Sequence, residues 1–189
     1  MAEANRERVL RAATSSFLAH GYGSSVDHIA RRAGVAKQTV YSHFPSKDLL
    51  FQEVARELTR NVLVELEGRD LRDTLIRFAA AYRKRALGAQ GIAAFRTLVP
   101  EVPRFRALAR AMYANTVGEL VRRLAAYLAE AMAAGKLAQA EPEFAAEMLL
   151  SMLSGQDRIK RLFALPAGGE NERARTARIV DSFLRAFQK

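Results

Sequence analysis

Along nearly the whole chain, apolar residues return every three or four positions, and runs in which apolar and polar residues alternate are rare. A strand needs alternation to turn one face to a core, whereas spacing of three and four gathers apolar side chains on one stripe of a helix. The residue types agree, because Ala, Leu, Glu and Arg dominate and Val, Ile and Thr seldom cluster. The chain is therefore predicted to be all-α. Nine helical segments are expected, at about 5–20, 26–33, 37–43, 46–67, 71–87, 92–99, 105–134, 142–163 and 170–187. In the first, Val9, Ala13 and Phe17 share a face with Leu10 and Leu18 beside them. Gly21, Gly34, Gly68 and Gly135 are read as helix stops, and Ser25 and Ser46 as N-caps. Further breaks come from Gly88, Gly91, Pro100, Pro103 and the stretch Leu165 to Gly169. A length of 189 residues suits a small head on a larger body, with a division near residue 50.

Several function classes are disfavoured at this stage. No stretch approaches the run of about 18 apolar residues that a membrane span requires. The N-terminal MAEANRERVLRAA is too regularly charged for a secretory signal, so a cytoplasmic location is expected and no membrane partner. Without cysteine, and with three scattered histidines, the chain offers no thiolate nucleophile and no metal cluster; no cofactor is implied. Neither a nucleophile–base pair nor a glycine-rich phosphate loop stands at a recognisable spacing, so an enzyme is not expected. The net charge of +10 favours a polyanionic partner. Only +3 of it falls in residues 1–60, so charge alone does not locate a nucleic-acid site.

The segment SSVDHIARRAGVAKQTVYSHFPSKDLLF is more specific. Two short helices flank Gly34, with Ile29, Ala30, Val35 and Val40 spaced to close a small shared core, which is the pattern of a helix-turn-helix. From about Arg8 to Val54 the sequence resembles the tetracycline-repressor family, above all in AGVAKQTVYSHFPSKDLLF with Tyr41, Phe44 and the lysine after Ser46. The resemblance implies a three-helix DNA-binding head whose recognition helix runs from Lys37 to His43. Lys37, Gln38 and Thr39 at its amino end would meet base edges, since glutamine pairs with adenine, lysine with guanine, and the threonine methyl meets thymine. Tyr41, His43 and Lys47 would touch phosphates, and Ser25 would add a contact from the start of the second helix. Tyr41 can equally pack its ring into the head, and Arg31 and Arg32 read more simply as a solvated face. Two positions depart from the family pattern: Ala36 stands where a capping hydroxyl is frequent, and His28 where an acidic residue often completes a cap, leaving His28 as an added phosphate donor at low pH.

For the rest of the chain the resemblance implies a ligand-binding and dimerisation body. Phe144, Met148, Met152 and Gly155 on one late helix, and Ile179, Phe183 and Phe187 on the other, are expected at a two-fold homodimer interface. Their apolar faces would otherwise close the monomer's own core. Phe78, Tyr82, Phe95, Leu98, Met112, Tyr113 and Met148 are candidate lining for a pocket that takes a small, largely apolar effector. The run FRTLVPEVPRFRALA resembles the C-terminal domains of the AefR-like subgroup. The expected function is a repressor released from a palindromic double-stranded operator by that effector. The alternative is a constitutive or partner-controlled DNA binder.

Overall fold

The computed structural model describes residues 2–68, 70–166 and 171–188, without the side chains of 58–62, 64, 98 and 101. Its helices are α1 (Ala2–His20), α2 (Val26–Ala33), α3 (Lys37–His43), α4 (Lys47–Leu63), α5 (Leu71–Leu87), α6 (Ala89–Leu98), α7 (Arg106–Asn115), α8 (Val117–Ala133), α9 (Pro142–Leu162) and α10 (Glu172–Ala186). Short 3-10 turns follow α1, α4 and α6. The chain is all-α, and each expected segment is helical. The seventh is interrupted at Thr116, where φ −125° and ψ −91° leave the helical region, so it counts as two helices. The last begins at Glu172; Glu170 and residues 167–169 of the expected Leu165 to Gly169 loop lie outside the described residues.

Local chemistry explains the helix starts. Ser25, Ser46, Asp70, Glu141 and Asn171 each accept a backbone N–H of the first turn that would otherwise be unpaired, and Pro142 supplies a preset φ at the head of α9. The residues fall into two compact units: Met1–Leu58 with Ala93–Thr116, and Thr59–Ile92 with Val117–Lys189.

In the first unit α1 packs against α2 and α3. Val9, Ala13, Phe17, Ile29, Val40 and Leu50 are almost wholly buried in one cluster. Phe51 and Val54 complete it, and Leu108 of α7 joins from far along the sequence. The head is therefore larger than residues 1–50, because its core needs apolar side chains from beyond that point. Burying side chains of this size contributes about 1.5–3 kcal/mol each.

In the second unit α8 packs along α9, and α5 crosses both α9 and α10. Leu75, Phe78, Leu124, Leu128, Leu149, Leu153, Val180 and Phe183 form its dry centre. A buried ion network lies beside them. Arg83, 2 % exposed, donates to Glu172 at 2.6 Å, to the Leu153 carbonyl at 2.6 Å and to Asp157 at 2.8 Å. Asp157 also receives a two-pronged contact from Arg175, both bonds 2.8 Å. Burial by itself would lower the Arg83 pKa, but its hydrogen bonds to Glu172 and Asp157 hold it above its ordinary value.

Candidate nucleic-acid interface

The turn between α2 and α3 decides where α3 points. Gly34 takes φ 64° and ψ 41°, left-handed backbone that residues with a Cβ adopt only at a cost. There its N–H reaches the Ala30 and Arg31 carbonyls, and the Val35 N–H also returns to Ala30. Ile29 and Val40, essentially unexposed, lock the two helices together. With that side of α3 committed to the core, Lys37, Gln38 and Tyr41 are left exposed, and Thr39 and His43 half-buried. At the N-cap of α3, Ala36 makes no side-chain bond, as its residue type requires.

Two of the expected contact residues are already engaged. Lys37 Nζ pairs with Asp27 at 2.9 Å, joining the amino ends of α2 and α3 across the surface. The hydrogen bond to Asp27, with that carboxylate's charge, raises the lysine's pKa, so it stays cationic. Lys47 Nζ lies 4.3 Å from the centre of the Tyr22 ring, a cation–π contact. Burial lowers its pKa, and the charge of Asp48 partly opposes that shift. Tyr22 donates to Asp48 and packs edge-on against Phe51 and Phe105, at 5.1 and 4.8 Å. Burial, followed by the hydrogen bond and charge of Asp48, pushes its phenol up to about 12. The start of α4 is thus anchored to an aromatic cluster, which leaves Lys47 half-buried at a fixed place. Ser25 is exposed, and its Oγ accepts the His28 N–H at 3.1 Å, so the cap of α2 forms without an acidic residue at 28.

One edge of the His28 ring is turned inward. Its Nε2 is buried without a partner among the described residues, and its ring lies 6.0 Å from that of His20. The reason is its position in the first turn of α2, on the side turned toward the end of α1. Arg31 and Arg32, read from sequence as a solvated face, are exposed, and with Arg8 and Arg11 they line a shallow surface depression of about 440 Å³. Arg8 donates to the Gly34 carbonyl at 3.0 Å, Arg32 to Ser15 at 2.8 Å, and Arg11 pairs with Glu7 at 3.3 Å. The adjacent arginines were visible in the sequence, but their meeting with α1 is a tertiary event.

The other sequence candidates divide between the units. Phe78 and Tyr82 belong to the body core, stacked at 6.2 Å, with the Tyr82 hydroxyl 3.3 Å from Ser154 Oγ. Met148 packs partly buried on the same core. Met112 packs on the head cluster, Phe95 and Tyr113 are exposed, and the Leu98 side chain lies outside the described residues. Of the expected interface residues, Phe144 and Met152 are exposed, and a Cβ added at Gly155 would meet nothing within 4 Å. Phe183 and Phe187 close the subunit's own core, and Ile179 packs against it. For these two phenylalanines the monomer-core reading replaces the interface reading, because α5 covers that side of α10. Among the described residues no group of three His, Asp or Glu side chains is placed to hold a metal ion, and no helix is long and apolar enough to cross a membrane.

A helix-turn-helix that presents polar residues at the amino end of its second short helix, joined in one chain to a larger helical body, defines a DNA-binding transcription regulator. Comparison with known proteins makes this specific. Residues 9–54 match the N-terminal model of the bacterial regulatory proteins of the tetR family, and 73–189 match the C-terminal domain of AefR-like transcriptional repressors. The protein belongs to the TetR family of transcriptional regulators, with a C-terminal domain of the AefR-like type. The flavonoid-responsive regulator FrrA is 32% identical over 97% of each chain, with a TM-score of 0.77. A TetR-family regulator from Mesorhizobium loti shares the fold at TM-score 0.81, with 23% identity over 100% of this chain and 99% of its own. The fatty acid degradation regulator FadR from Bacillus halodurans does so at 0.71, with 18% identity over 95% and 94%. No curated protein matches the chain.

Proposed function

We propose that the protein is a cytoplasmic, homodimeric repressor that holds a palindromic operator and releases it when a small, largely apolar effector binds, and that it carries out no catalysis. The residues that contact DNA all lie within 1–50, and the ligand and dimer roles fall to residues within 51–189. The observation that carries this reading is the exposed amino end of α3, where Lys37 and Gln38 stand free of the head core that holds Val40. Gln38 and Thr39 read bases, with Lys37 exchanging Asp27 for a base edge. Tyr41, His43, Lys47 and Ser25 contact phosphates, and the four-arginine depression adds a further backbone contact. Two heads related by a two-fold axis would read half-sites about 34–36 Å apart, or a multiple of that. The exposed apolar stripe of α9, with Phe144, Met152 and Ile159, supports the dimer. The name of one similar structure, the flavonoid-responsive regulator, supports a largely apolar effector.

Selection of random duplex DNA on the purified protein tests this. A two-fold symmetric motif that changes at one base pair per half-site in Gln38→Ala is expected. Enrichment without symmetry or motif, with binding that vanishes uniformly as salt rises, would refute specific recognition.

A further inference from the structure

A groove opens on the body between α5, the end of α9 and the start of α10, with a volume of about 840 Å³. That lies within the range of about 300–1,000 Å³ common to small-molecule sites. Its apolar wall includes Ile76, Ala80 and Leu87, yet five of its lining side chains are cationic and only one, Glu172, is anionic. Some of that positive charge is committed inside the protein: Arg83 is held by three partners, and Arg77 bonds the Glu67 carbonyl. Lys84 and Arg173 are different. Both are exposed, and neither side chain has a hydrogen-bond or ion-pair partner among the described residues. An apolar wall rimmed by uncommitted cations is complementary to a molecule with an apolar body and one anionic end.

Glu172 indicates how such an anion is received. Its carboxylate sits 2.6 Å from Arg83 Nε although its side chain is 57% exposed, so the protein's own anion occupies the groove edge without being enclosed there. We propose that the groove binds a small amphipathic carboxylate, with its tail along Ile76, Ala80 and Leu87 and its head on Lys84 and Arg173, and that this is the effector site. The assignment rests on the reading of the protein as an effector-released regulator and names the class of effector. The sequence led to a largely apolar effector; Arg83, drawn in by residues 74 and 89 positions away, adds a buried basic group beside the groove. A head group competing with Glu172 for Arg83 would bear on the ion network that ties α5 to α9 and α10. A ligand shifts a conformational equilibrium only through such differential contacts.

Titration calorimetry of the full chain with decanoate, decanol and inorganic phosphate is the test. Decanoate is expected to bind about tenfold or more tighter than decanol, the difference one charge-assisted contact makes. Lys84→Ala and Arg173→Ala should each weaken decanoate severalfold and leave decanol unchanged. Ala80→Trp, which fills the groove from an exposed position, should abolish both. Decanoate that fails to bind, or that binds Arg173→Ala and Ala80→Trp undiminished, overturns the site. Phosphate binding as tightly as decanoate overturns the amphipathic assignment. Decanoate that binds in the groove and leaves affinity for the selected operator unchanged overturns the effector role, whereas failure to select an operator falls on the proposed function itself.

Discussion

Removing either side of the ion network in the body should destabilise the protein, and the structure says which side costs more. Arg83→Met deletes the buried cation. Asp157 then keeps both bonds from Arg175, and Glu172, more than half exposed, returns to water. Methionine refills most of the apolar volume, so the loss is chiefly the charge-assisted hydrogen bond to the buried Leu153 carbonyl, roughly 2 kcal/mol. Asp157→Asn instead leaves a guanidinium that is 2 % exposed with only the more exposed Glu172 to balance its charge, which approaches the cost of about 3–5 kcal/mol for a stranded buried ion. In the double variant the new amide no longer faces a buried cation, so the combined loss should fall short of the sum of the singles by about 1 kcal/mol or more. Urea denaturation followed by circular dichroism, at one fixed protomer concentration because association shifts apparent stability, reads all three. The order also has a pH signature. Burial works against ionisation of Asp157, but hydrogen bonds from Arg175 and Arg83, with their charges, hold its pKa below the ordinary value. A carboxylate depressed in the folded state adds stability that is present above about pH 3.9 and lost as pH falls through the folded pKa. The wild type should lose this component in acid and Asp157→Asn should not. An Arg83→Met protein as unstable as Asp157→Asn, or more so, would refute the reasoning, since the buried charge would then not be the costly partner to strand.

Three further outcomes are expected. Ala36→Ser supplies the capping hydroxyl that α3 lacks and should stabilise the head by about 1 kcal/mol, seen as slower hydrogen exchange at the first amides of α3. Lys47→Ala should lower the slope of log affinity against log salt by about 0.9 on the selected operator, and about equally on unrelated duplexes, as loss of one phosphate contact requires. Phe144→Glu should yield monomers in sedimentation while Phe183→Ala should not, although the latter should cost about 3–5 kcal/mol of stability because it empties a fully buried site.

Residues that act through local backbone chemistry were legible in the sequence. The stop at Gly34, the caps at Ser25 and Ser46, and the uncapped Ala36 all appear where the residue types put them, because each depends on atoms within a few positions. The exposed row at Lys37, Gln38 and Tyr41 follows from the same short-range pattern once Val40 and Phe44 are turned inward. The extent of the head was not legible, since Leu108 enters its core from another helix some fifty residues downstream of Phe51 and Val54. Nor was the burial of His28 Nε2, beside the His20 ring at the end of α1.

Helices α9 and α10 show why apolar spacing leaves a face unassigned until its neighbour is known. Both carry broad apolar surfaces in sequence, and both were natural candidates for contact between subunits. In α10 the apolar side is met by α5 and α9, so Val180 and Phe183 are wholly buried and the surface is spent within one chain. In α9 the side with Ala145, Leu149 and Leu153 is buried in the same way, but Phe144, Met152, Ile159 and Phe163 remain exposed. Spacings of eight, seven and four residues put these four on one stripe, and Gly155 within it leaves open space where a second helix can approach. A helix with both sides apolar is fully covered only by neighbours on both, and α8, α5 and α10 bury one side of α9 while leaving the side with Phe144, Met152 and Ile159 open. The uncovered side of α9 is accordingly the surface where a second copy is proposed to sit.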